Sequence, residues 1–132
     1  MHTASTAAGE LLTTDEIGLL RRALLEWGGP ARCSDELASG MGFAGMQDLL
    51  DQCRRLRAEL GDGAPISPVD WARLLLAVEI VFVSDLSGSG AEWPTTTGFA
   101  DDWTIRTLRE IQRKLSGTVG SYYGRLPSTS AE

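Results

Sequence analysis

The stretch Ser67–Gly98 constrains this chain more than any other, because it sets a dense apolar run directly before a long run rich in Gly, Ser and Thr. Ser67-Pro68 reads as a helix N-cap followed by proline at the first helical position, where the missing N–H costs nothing. Asp70 falls in the first turn, where an acid suits both the cap and the helix dipole. Val69, Trp71, Leu74, Leu75, Leu76, Val78, Ile80, Val81, Phe82, Val83 and Leu86 then leave little polar surface, and a helix apolar on most sides has to be surrounded by others. The β-branched Val78, Ile80, Val81 and Val83 would also suit a buried strand, but the length and the cap favour a helix over roughly 67–86. Arg73, Glu79 and Asp85 interrupt the run too often for it to cross a bilayer.

The rest of the chain supplies the surrounding helices. Thr13 and Glu16 have the spacing of a capping box, and Ile17, Leu20, Ala23, Leu24 and Trp27 form an inward stripe over Thr14–Trp27 that Gly28-Gly29-Pro30 ends. Ser34-Asp35-Glu36 opens a short second helix closed by Gly40. A third runs over Ala44–Leu60 with Met46, Leu49, Leu50, Cys53, Leu56 and Leu60 inward. After the loop Ser87–Ala100, a last helix spans Asp101–Ser116, with Thr104, Ile105, Leu108, Ile111 and Leu115 inward and Gly117 as its stop. The expectation is an all-α fold: a single compact domain of about five helices around the central one. The domain covers 11–117, between a flexible N-terminus (1–10) and a mostly flexible tail (118–132) in which Tyr122 and Tyr123 are the docking candidates.

One charge stands out. On a helical wheel Glu79 falls opposite Asp70, Arg73, Ser84 and Asp85, among Leu75, Leu76, Phe82, Val83 and Leu86. An unpaired carboxylate there is costly, so it needs a proton or a partner. Arg57 lies within the inward stripe of the third helix, and the predicted buried ion pair is Glu79 with Arg57, with Arg21 and Arg109 as reserves.

Composition narrows the function classes. The formal net charge of −6 disfavours partners that present phosphates, whether nucleic acid or an anionic membrane surface, and suits a basic protein. Cys33 and Cys53 have no C-x-x-C spacing and no companion metal ligands, so free thiols in a reducing compartment are expected. The N-terminus lacks a basic region followed by an apolar run, which makes a cytoplasmic protein the default expectation. The sole histidine, His2, leaves no Ser/His or Cys/His pair for nucleophilic catalysis. Ser87-Gly88-Ser89-Gly90 has no following lysine and no strand before it, as a phosphate loop requires. No enzyme, metal or cofactor is expected.

Two stretches carry functional readings. Residues 14–60, with Ser34-Asp35-Glu36-Leu37-Ala38-Ser39-Gly40 and a glycine-bearing turn before the next helix, resemble the tri-helical, helix-turn-helix-like unit of DNA readers. The presumed reading helix begins with Gly45, Gln47, Asp48 and Asp51, however, where base and phosphate contacts want Arg, Lys, Asn or Ser. The second stretch, between Asp85 and Thr104, holds Asp85, Glu92, Asp101 and Asp102 and no Lys or Arg, interleaved with Trp93, Phe99 and Trp103. Aromatic anchors in an acidic field suit a basic protein surface: the rings give desolvated contact area and the acids steer encounter. The plainer reading is that Trp93 and Phe99 pin the loop to the core while Asp101 and Asp102 favour the helix N-terminus. The favoured function is a small acidic protein-binding module, an inhibitor or immunity-type protein occluding a basic toxin or nuclease. Asp85, Glu92, Trp93, Asp101, Asp102 and Trp103 would be its contact residues. The alternatives are a helix-turn-helix-type transcriptional regulator using residues 34–60, and a small-molecule-binding helical domain with its pocket around Glu79.

Overall fold

A computed structural model describes residues 4–124. A short strand β1 (Thr6–Ala7) precedes α1 (Thr14–Glu26), α2 (Asp35–Gly40) and α3 (Met46–Asp62). Then come β2 (Pro65–Ile66), α4 (Pro68–Val83), α5 (Trp93–Thr97) and α6 (Asp101–Val119), the last continuing into a 3₁₀ turn over Gly120–Tyr123. The fold is all-α, with one two-stranded antiparallel ribbon in which Thr6 faces Ile66.

The helix starts follow from local chemistry. The Thr13 hydroxyl accepts the Glu16 N–H while the Glu16 carboxylate accepts the Thr13 N–H at 2.8 Å, closing the capping box on α1. The Ser34 and Ser67 hydroxyls accept the Leu37 and Asp70 N–H groups and cap α2 and α4 without the reciprocal bond. Gly45 has no side chain to cap α3, so Asp35 of α2 accepts the Met46 N–H at 2.8 Å. Gly63 (φ 74°) ends α3 in the left-handed conformation that glycine takes without strain.

α4 lies at the centre, packed on α1, α6 and α3, with Trp71, Leu74, Ala77, Val78 and Val81 buried. Burying each such Leu or Val contributes roughly 1.5–3 kcal/mol relative to leaving it in water. α6 lies antiparallel to it: Phe82 and Val83 sit beside Asp101 and Ile105 at one end of the shared seam, and Leu75 and Glu79 beside Gln112 and Val119 at the other. Among the described residues, no helix is long and apolar enough to cross a membrane.

Four features differ from the expectation. α4 stops at Val83 rather than near 86, because Ser84 turns extended and its hydroxyl accepts the N–H groups of Leu86 and Ser87. The expected loop contains a sixth helix, α5. Residues 4–10, within the stretch expected to be flexible, are docked: Ala8 is fully buried and the Thr6 carbonyl accepts the Trp71 indole N–H at 3.2 Å. α6 likewise runs past Gly117 because Val119 is buried against the core, so 118–124 is regular structure rather than tail. Met1–Thr3 and residues 125–132 lie outside the described residues.

Candidate functional site

Glu79 does lie on an apolar face of α4, but that face is turned toward the C-terminal half of α6 rather than toward α3. Its carboxylate accepts the Gln112 amide N–H at 2.7 Å and the Tyr123 hydroxyl at 2.9 Å. The predicted pair with Arg57 does not form. Arg57 instead donates to the Arg21 carbonyl at 2.9 Å and Arg21 to the Arg57 carbonyl at 3.1 Å, a reciprocal stitch between α3 and α1. Of the reserve partners, Arg109 reaches Glu79 only indirectly, donating to the Gln112 side-chain oxygen at 3.2 Å. Leu75, Glu79, Arg109, Gln112, Val119 and Tyr123 line a cleft of about 670 Å³. Burial, followed by the Glu79 charge beside it, pushes the Tyr123 hydroxyl above the ordinary tyrosine value, which keeps it a donor.

The segment between Ser84 and Ala100 is built around Trp93. Its side chain is 0% exposed, its indole N–H donates to the Thr104 hydroxyl at 2.9 Å, and its ring meets Phe82 edge-on at 5.3 Å. A buried ring cannot anchor a partner, so the contact role expected for Trp93 is overturned: it is the pin that fixes the segment. The stacking continues through Phe99 to Trp103, whose ring lies 5.0 Å from that of Phe99. Trp103 is half-buried and lines a shallow hollow with Thr13, Asp15 and Arg106, a hollow that none of the other predicted contact residues lines.

The four acids are all exposed. Asp85 holds its own turn, accepting the Ala91 N–H at 2.6 Å. Asp101 and Asp102 line a groove of about 520 Å³ with Phe82, Val83, Gly90, Ala91 and Ile105. Asp102 also lies 3.5 Å from Arg106, a surface pair worth about 0–1 kcal/mol. Glu92 is exposed and does not line this groove. Val83 and Leu86, which the helical wheel places on the apolar face with Glu79, are 70% and 96% exposed. The groove therefore brings together two of the four acids, Asp101 and Asp102, beside Phe82, Val83 and Ile105.

The burial of two carboxylates does not follow from the sequence reading. Glu26, 1% exposed, pairs with Arg22 at 3.0 Å and accepts the Ser89 hydroxyl at 2.6 Å and the Thr96 hydroxyl at 2.7 Å. Arg22 also donates to the Thr96 carbonyl. This cluster ties α1 to the segment carrying Trp93. Glu16, besides its capping role, takes the Lys114 ammonium at 2.8 Å. Burial pushes the Glu16 carboxyl up, but the Lys114 ammonium and the Thr13 groups outweigh it and hold the carboxyl below its usual range. A signal for Glu16 was present, since it lies beside the apolar stripe of α1.

On α3, Asp48 accepts the Ala44 N–H at 2.9 Å and Gln52 at 3.2 Å, while Gln47, Asp51 and Arg54 are exposed. Cys33 and Cys53 are free thiols, and burial pushes Cys53 up to about 12, too high for a reactive thiolate near neutrality. Among the described residues, no group of three or more Cys, His, Asp or Glu is placed to hold a metal. No family model, curated protein or solved structure matches the chain.

Proposed function

We propose that this protein acts by binding another protein, as an inhibitor or immunity-type module that covers a basic surface. The observation that supports this reading is Leu86, 96% exposed at the end of the central helix. Val83, 70% exposed, precedes it on the groove that Asp101 and Asp102 line. Exposed aliphatic side chains on a segment that also carries exposed Asp85, Glu92, Asp101 and Asp102 have the composition of a contact patch, apolar residues among charged ones. The charge selects the occupant: a cationic surface offering Arg or Lys to the acids and an apolar side chain to Val83 and Leu86. Trp93, stacked on Phe82 and Phe99, pins the segment that follows Leu86, which limits the ordering cost of binding.

A regulator reading DNA with α3 fits less well. The start of that helix presents Asp48 and Asp51, and Asp35 caps its first turn, so phosphates would meet like charge.

The test is stoichiometric capture by wild-type protein and by Leu86→Ser, followed by titration of the recovered partner. The expected partner is a single basic protein bound one to one. Leu86→Ser weakens it by about 2 kcal/mol as a central contact and leaves thermal stability within about 0.5 kcal/mol, as for an exposed substitution. Asp101→Asn with Asp102→Asn lowers mainly the association rate and its salt dependence. An acidic partner, or equal binding by Leu86→Ser, overturns the reading. Salt-sensitive DNA retention without a protein partner transfers it to residues 34–60.

A further inference from the structure

At the opposite end of the α4–α6 seam, the geometry points to a second site: the cleft around Glu79 binds a small zwitterion of the α-amino acid type with an apolar side chain. It is independent of the protein-binding patch. The cleft, about 670 Å³, is within the size range of small-molecule pockets, roughly 300–1,000 Å³.

Its charges are arranged for such a ligand. Among the described residues neither Glu79 nor Arg109 makes an ion pair, whereas the neighbouring Arg113 is paired with Glu110. Glu79 is met only by neutral donors, Gln112 at 2.7 Å and Tyr123 at 2.9 Å. Each of its oxygens keeps a lone pair for a further donor. Arg109 spends one N–H on the Gln112 oxygen at 3.2 Å and keeps the rest of its fork. Of the two guanidinium groups that line the cleft, Arg113 is thus paired with Glu110, and Arg109 stands across a single amide from Glu79.

Gln112 shows what spans them. Its amide gives an N–H to Glu79 and accepts one from Arg109, the two roles that an ammonium and a carboxylate on one carbon take together. A ligand beside Gln112 sets its ammonium on Glu79 and its carboxylate on Arg109. Both contacts are charge-assisted and so stronger than the neutral ones already present. Leu75 and Val119 supply apolar wall for the side chain, and the Tyr123 ring closes one flank.

The probes are L-phenylalanine, phenethylamine, which lacks the carboxylate, and hydrocinnamate, which lacks the ammonium. Each is titrated into the full chain by NMR. Phenylalanine is expected to bind best, with either deletion weakening it by about tenfold or more, the equivalent of one lost charge-assisted contact. Glu79→Gln lowers phenylalanine to the affinity of hydrocinnamate and leaves hydrocinnamate unchanged. Arg109→Gln lowers phenylalanine and hydrocinnamate and leaves phenethylamine unchanged. The ranking of the three probes on the wild-type chain stands whether or not the variants fold. Absence of saturable phenylalanine binding, a probe that binds as well as phenylalanine, or an unchanged phenylalanine affinity in both variants overturns the assignment.

Discussion

Glu26 and Glu79 are both carboxylates on helices that pack together, and they have opposite surroundings. Glu26 is almost fully enclosed, with one guanidinium and two hydroxyls pointed at it. Glu79 is half-buried beside an open cleft and meets only an amide and a phenol. A charge in the first situation must be fully compensated, and removing it strands its partners. A charge in the second keeps unused bonding capacity facing solvent. One therefore belongs to the fold, and the other is available to a ligand.

The sharpest way to break this contrast is Glu26→Ala. It leaves Arg22, Ser89 and Thr96 without their shared acceptor and frees the segment that Trp93 pins. Loss of one partner of a buried pair costs about 3–5 kcal/mol. The Arg22 side chain is 35% exposed and water takes up part of its charge, so about 3 kcal/mol is expected in a denaturant titration. A loss below about 1 kcal/mol, the level of an ordinary hydrogen bond, would show that the cluster does not hold the segment.

Glu16 falls between the two, with one ammonium and a capping role. Glu16→Gln is expected to cost about 1–2 kcal/mol near neutral pH. Its carboxyl is held below the ordinary value of 4.5 in the folded chain. The stability it gives is therefore full above that value and is lost as pH falls through the lowered one. Glu16→Gln should flatten the acid limb of the stability curve. An acid limb identical to wild type would mean that Lys114 does not hold the charged form.

The difference between these carboxylates also marks how far the sequence is readable. Caps are local, and Thr13, Ser34 and Ser67 act as their spacing predicts. The central position of α4 follows from its composition. Glu26 could not be found that way, because on its own helix it sits at the edge of the Ile17–Trp27 stripe, beside Ala23, where a carboxylate is ordinarily solvated. It is buried by Ser89 and Thr96, which lie 63 and 70 residues along the chain. Glu79 is the converse case: the wheel identifies its apolar face but not the neighbour that the face meets, which is Gln112 and Tyr123 rather than Arg57 of α3. For Trp93 there was a local sign. Pro94 in a first turn and Gly98 five residues after Trp93 are the start and stop of a short helix. A helix in that place carries its tryptophan inward, leaving exposure to Val83 and Leu86, where the central helix ends early.

The smallest expected effect is the most discriminating. Glu79→Gln keeps an acceptor for Tyr123 or Gln112 and strands no cation, so its cost in stability should stay below about 1 kcal/mol, within the range of one net hydrogen bond. A cost comparable to that of Glu26→Ala would make Glu79 a structural charge and remove the reason to see free capacity in its cleft. The Tyr123 contact gives an independent check. Its hydroxyl is raised above the ordinary 10.0 by burial and by the Glu79 charge. What this contact contributes is therefore fully present below 10.0 and is lost only as pH rises through the raised value. Removing the Glu79 charge must bring the Tyr123 titration to lower pH, read as phenolate absorbance. A small stability change together with that downward shift would place the carboxylate at the phenol without making it a support of the fold, which is the condition a ligand-binding charge has to meet.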